Sequence, residues 1–168
     1  MKLITALIFA ASTSPAFAID PCLVGVWQAD NDDLAHVMGS QMPAGGSIGY
    51  VSGTVTLEIT GDGTMTLLSN NFRVNSMMPD IPPTTVTING WSEGAMNADD
   101  GSTYVANAPD YDLIGTADVM GAIIEISAAE LSGGVWGQST GTYGCTGDSV
   151  SFEAERLGSI PRLWRRAG

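Results

Sequence analysis

The sequence predicts an all-β fold: an antiparallel meander of about eight strands, with one short helix near its N-terminal end. Three observations carry this reading. The chain holds 21 glycines while charged residues reach only 14%, so the Glu, Lys and Arg that usually populate helices are scarce. Apolar and polar residues alternate with period two in the candidate elements. Turn signals fall between them at Gly61-Asp62-Gly63, Asn89-Gly90, Asp99-Asp100-Gly101, Ala108-Pro109-Asp110 and Gly147-Asp148.

The first segment is read as serving export. Lys2 precedes the apolar run Leu3 to Ala11, and Ser14-Pro15-Ala16-Phe17-Ala18 ends it with small residues. A short cationic start, an apolar stretch and a small-x-small site describe a secretory signal peptide over residues 1–18. The run is too short for a membrane anchor, and no later segment approaches spanning length. Residues 19–168 then form one domain.

Leu23-Val24-Gly25-Val26-Trp27 reads as a first strand. Leu34, Val37, Met38 and Met42 then recur at helical spacing, which predicts a helix over 32–42. Asn31 is its N-cap, Asp32 and Asp33 suit the positive end of the helix dipole, and Pro43 stops it. Val55, Leu57 and Ile59 alternate with Thr54, Thr56, Glu58 and Thr60, and Gly61-Asp62-Gly63 turns the chain into a partner strand carrying Met65 and Leu67. Further strands are expected over 84–91, 103–106, 117–127, 140–145 and 149–155. Two longer connections remain: Ser76 to Pro83, which contains Met77-Met78-Pro79-Asp80-Ile81-Pro82-Pro83, and the glycine-rich stretch 128–137.

Charge is distributed unevenly. Residues 19–155 contain all eighteen acids against the single arginine Arg73, a formal −17, while Arg156, Arg162, Arg165 and Arg166 give the last thirteen residues +4. An acidic body excludes nucleic acid as a partner, because phosphate binding needs a basic footprint. In an exported chain the even pair Cys22 and Cys145 reads as a structural disulfide; it lacks the C-x-x-C spacing of redox or zinc sites.

Catalytic signals are absent. His36 is the only imidazole, and neither a G-x-S-x-G elbow nor a P-loop or dinucleotide fingerprint occurs. No catalytic residue or cofactor is nominated. His36, Met38 and Met42 offer soft ligands for copper(I), but the methionines share the apolar helix face, where packing is their ordinary use. Asp30, Asp32 and Asp33 lack the glycine and distal glutamate of a calcium loop. No metal site is nominated either.

The ends of the chain resemble the lipocalin-like, or calycin-type, β-barrels of bacterial exported proteins. Gly25-Val26-Trp27 matches the G-x-W that opens such barrels, Asp62-Gly63-Thr64 is a similar hairpin, and Tyr143-Gly144-Cys145-Thr146-Gly147-Asp148 with Trp164-Arg165-Arg166 resembles their closing run. The resemblance implies that the meander closes into an up-and-down barrel. It further implies that Trp27 plugs one end, that Arg165 or Arg166 stacks across it, and that the early helix covers an opening. A second or third lipocalin motif is missing from the central region.

Such a barrel is a cup for one small apolar molecule. On the alternating strands Met65, Leu67, Val86, Ile88, Trp91, Tyr104, Met120, Ile124 and Ile126 either line that cup or fill the interior. The apolar, proline-containing run Met77 to Pro83 is a candidate contact for a protein partner, or a loop folded onto its own barrel. The expected role is binding of a small hydrophobic molecule; the alternative is a protein-binding barrel such as a periplasmic protease inhibitor, with a carboxylate enzyme third.

Overall fold

A computed structural model describes residues 19–98, 102–127, 138–155 and 161–168. The expected signal segment, the Asp99-Asp100-Gly101 turn and the 128–137 connection lie outside the described residues.

The elements are β1 (Gly25–Ala29), α1 (Asn31–Ser40), β2 (Ser47–Ile59), β3 (Thr64–Met78), β4 (Ile81–Asn97), β5 (Thr103–Val119), β6 (Ala122–Ser127), β7 (Ser139–Cys145), β8 (Ser149–Ala154) and β9 (Leu163–Arg166). All strand pairings between them are antiparallel. They form one sheet in the order β4-β3-β2-β1-β9-β8-β7-β5-β6, and an additional β4–β5 pairing closes it into a ring. Eight strands make the ring, with β6 attached to β5 alone among the described strands. The fold is an all-β, up-and-down, barrel-like sheet with one short helix.

Inside the ring, alternation sends large and small side chains inward along the same strands: Met65 and Ser69 on β3, Ser92 and Met96 on β4, Tyr104 with Ala106 and Ala108 on β5. Trp27, Leu57, Ile59, Met65, Met96, Tyr104, Val150, Phe152 and Trp164 are all essentially inaccessible. The Tyr104 ring meets Phe152 edge-on with 4.9 Å between centroids. Ser69, Ser92, Ala106, Ala108 and Ser139 are the small buried residues among them. Each fully buried aliphatic or aromatic side chain contributes about 1.5–3 kcal/mol.

The strands are longer than local pattern indicated, for identifiable reasons. Asn89-Gly90 is not a turn; it lies within β4, and Gly90, at φ +121°, lets the backbone of β5 come so close that a Cβ would sit 1.9 Å from the Asp112 carbonyl oxygen. Ala108-Pro109-Asp110 is not a turn either. It lies within β5, where the register against β4 shifts between Glu93 and Ala95. The expected single strand over 117–127 folds back at Met120-Gly121, both with positive φ (55° and 85°), to give the β5–β6 hairpin.

The run Ser76 to Pro83 is likewise not a long loop. Met78 pairs with Ile81 across the two-residue turn Pro79-Asp80, with Asp80 in the left-handed region at φ 64°. Pro82 and Pro83 are tolerated because β4 pairs with β5 only from Thr84 onward, so neither proline owes that neighbour a hydrogen bond. Helix α1 begins one residue earlier than expected. Asp30, not Asn31, is its N-cap, accepting the N–H groups of Asp32 and Asp33 at 3.0 and 3.1 Å. Asn31 instead donates its Nδ2 to the Gly53 carbonyl at 3.1 Å.

Candidate functional site

Two ends of the ring differ. One is sealed by the segment before β1, where Leu23 is fully buried and its carbonyl accepts the Trp27 indole N–H at 2.8 Å. The Cys22–Cys145 disulfide holds that segment to the end of β7. Tyr143 adds a hydroxyl donated to the Asp20 carboxylate at 2.9 Å. Of the two candidate arginines, Arg166 lies over the Trp27 ring with Cζ 4.1 Å from its centroid. Its other contacts are to the carbonyls of Gly147, Val24 and Cys22. The first glycine of the G-x-W run follows from this packing: at φ +140°, a Cβ on Gly25 would meet the Arg166 guanidinium at 2.5 Å.

At the other end β2, β3, β4 and β5 continue past the closed ring, and β6 pairs beside β5 there, which makes a five-stranded extension. Residues directly opposite one another in neighbouring strands point to the same face. Val51, Val74, Val86, Ala117 and Ile124 form one such row across all five strands. Phe72, Ile88, Gly115 and Ile126 form the next row toward the ring. This face continues the barrel interior, since Phe72, Val74, Ile88 and Ala117 are buried. Opposite-facing rows are mostly polar, as in Asn75, Thr85, Asp118 and Arg73, Thr87, Thr116, Glu125, although the first ends in Ile123.

Cover over this apolar trough is uneven. Leu34 and Met38 of α1 pack against the buried cluster together with Ile48 and Val51 of β2. At the β6 side exposure rises, and Ile124 is 54% exposed. Among the described residues the trough is therefore flanked by α1 on its β2 side and most exposed at Ile124 of β6.

The nine residues expected to line a cup fall into separate places. Met65, Leu67 and Tyr104 are buried inside the closed ring. Val86, Ile88, Ile124 and Ile126 are brought together on the trough face. Trp91 is 40% exposed and out of phase with the buried neighbour Ser92. Met120 is 84% exposed at the apex of the β5–β6 hairpin. The Met77 to Pro83 run forms the β3–β4 hairpin tip, with Met77 and Ile81 exposed.

Sequence reasoning missed Phe72, Val74 and Leu113, because β3 and the strand from Thr103 were read as ending short of the extension; Ala117 was placed on a strand but not among the site residues. The same reasoning also missed Ser69 and Ser92. These serines occupy inward positions beside Leu67 and near Met96, and a polar residue on the apolar phase of a strand was the available signal. Among the described residues their hydroxyls are buried without a hydrogen-bond partner, as is Asn31 Oδ1.

Ionic groups cluster at the start of α1. Arg162 pairs with Asp33, which raises the guanidinium pKa, and Arg165 reaches Asp30 at 2.8 Å. The Asp30 carboxyl is held below its ordinary range, first by the Asp33 N–H and, among the remaining lowering contacts, by Arg165 and the Asp32 N–H, against an opposing effect of burial. A shallow depression beside this cluster is bounded by Gln28, Asn31, Asp32 and the terminal residues Ala167 and Gly168; a second one lies between α1, including His36, and the start of β2. Among the described residues no group of three or more His, Cys, Asp or Glu side chains is arranged to hold a metal. None of their helices is long and apolar enough to cross a membrane.

Compared with protein-family models, with curated proteins and with solved structures, the chain gives no match in any of the three. Its own geometry defines an architectural class: an antiparallel, barrel-like sheet whose five-stranded extension carries a continuous apolar face.

Proposed function

We propose that this protein is an exported, lipocalin-like binding barrel that holds or sequesters a small hydrophobic molecule in the trough. The observation that carries this reading is the row Val51, Val74, Val86, Ala117 and Ile124, which stays apolar to its exposed end. A largely apolar concave face with few polar groups is the usual form of a small-molecule site. The signal-like residues 1–18 and the Cys22–Cys145 bond support a periplasmic or secreted setting, since disulfides persist in oxidising compartments.

Native mass spectrometry on protein purified from its own host tests the proposal. A bound molecule is expected, and it should disappear in Ile124→Asp, which places a charge on the trough face where Ile124 is already half exposed. Protein that carries no added mass and takes up no apolar probe would sink this reading. A second reading, a protein-binding barrel such as a periplasmic protease inhibitor, is favoured by the ordered β3–β4 tip that exposes Met77 and Ile81. Replacing Met77 and Ile81 by serine should then abolish capture of the partner protease while leaving small-molecule binding intact.

A further inference from the structure

The trough does not end in a uniformly apolar floor. Gly115 interrupts the row of Phe72, Ile88 and Ile126, leaving no side chain between Ile88 and Ile126. Diagonally across the β4–β5 pair lies Gly90, opposite Leu113, and directly opposite Gly90 on β3 is Ser69. Ser92 stands one inward position further along β4, opposite Leu67. The two hydroxyl-bearing residues thus lie on the trough face, next in line after Ile88 and Gly90.

Ser69 is 3% exposed and Ser92 is fully buried, and among the described residues neither Oγ has a hydrogen-bond partner. Two buried hydroxyls left unpaired on one face are costly, and native interiors satisfy such groups with protein, water or a bound molecule. As diagonal neighbours on adjacent strands, their Cα atoms lie within about 7–8 Å of each other, a spacing that one small polar group can bridge.

Charge narrows the chemistry. The residues of the two trough rows and the next row out, Ile48, Ser76, Thr84, Val119 and Ala122, include no charged side chain. Arg73 lies on the opposite face, in the row with Thr87 and Glu125. A carboxylate or phosphate entering here would lose its water without gaining a counter-charge, and an ammonium would find no buried carboxylate. A hydroxyl both donates and accepts, as do the two serines.

We infer that the trough selects a neutral amphiphile, an aliphatic alcohol or similar uncharged molecule, whose polar end is hydrogen-bonded by Ser69 and Ser92. The inference rests on the binding-barrel reading and adds the head-group class and the residues that recognise it.

Calorimetric titration of the disulfide-intact protein with octan-1-ol, octanoate at pH 8 and octane provides the test. Octan-1-ol should bind at least tenfold more tightly than octanoate. Ser69→Ala and Ser92→Ala should each weaken octan-1-ol about fivefold or more and leave octane within twofold, with melting temperatures at or above that of the parent. If none of the three compounds binds, the binding-barrel reading fails and takes this inference with it. If octan-1-ol and octane bind and both serine variants retain parental octan-1-ol affinity, the head-group assignment is overturned while the barrel reading stands. Tighter binding of octanoate would overturn the neutral class.

Discussion

The guanidinium of Arg166 lies over the indole of Trp27, its Cζ 4.1 Å from the ring centroid, and occupies the space that a side chain on residue 25 would need. A cation over a buried aromatic face contributes about 0.5–2 kcal/mol, and Arg166 also donates to the Gly147 carbonyl at 2.6 Å. Arg166→Ala should lower unfolding stability by about 1–2 kcal/mol in urea titration. Arg166→Lys should recover only part of it, because an ammonium lacks the planar fork. Gly25→Ala should be destabilising on its own. In the double variant with Arg166→Ala the combined loss should be smaller than additive, since the steric conflict is with Arg166.

The Cys22–Cys145 bond spans a sequence separation of 123 residues and joins the segment before β1 to the end of β7. Cross-linking a loop of that size stabilises by about 4–5 kcal/mol in the chain-entropy model. Reduction, or replacement of both cysteines by serine, should lower the urea midpoint accordingly without changing the far-ultraviolet signature of the sheet. A variant with unchanged midpoint would show that the two ends are held by other contacts.

Asp30 caps α1 and pairs with Arg165, and its folded-state carboxyl lies below the ordinary value of 3.8. A depressed folded value adds stability that is fully present above the unfolded value and is lost as pH falls through the folded one. Asparagine caps a helix about as well but carries no charge. Asp30→Asn should therefore be less stable than the parent by about 0.5–1 kcal/mol at pH 7. The difference should close as pH drops below 3.8, measured by thermal unfolding across pH 2–7.

Met120 holds a left-handed conformation, φ 55°, at a hairpin apex where it is 84% exposed. A thioether side chain gains nothing there, whereas asparagine tolerates positive φ and precedes Gly121 in a favoured two-residue turn. Met120→Asn should raise stability by about 0.5–1 kcal/mol, read from the thermal midpoint.

Much of the closed ring was legible in the sequence. Val55, Leu57 and Ile59 alternate cleanly because one face of β2 is buried and the other is not, and the Asp62-Gly63 turn fixes the register to Met65 and Leu67. The extension was harder to read. Its strands carry Asn89-Gly90, Ala108-Pro109-Asp110 and Pro82-Pro83, residues that break local structure when considered alone. Pairing with neighbouring strands over many positions offsets those local costs, and that pairing is invisible in a short window. The candidate site suffered most, because its rows are assembled from five strands distant in sequence.

What the sequence by itself determined was the all-β class, the position of the one helix to within a residue or two, the pairing of the two cysteines and the acidic character of the chain. Those depend on composition, short-range period and cap chemistry. Tertiary structure alone decided that β4 and β5 run uninterrupted through their glycine and proline, that Arg166 is the arginine over Trp27, and that an apolar face continues beyond the ring to reach Ser69 and Ser92. Strand pairing is a long-range choice: it sets which residues stand opposite one another, and only that register turns scattered valines, isoleucines and two serines into one surface.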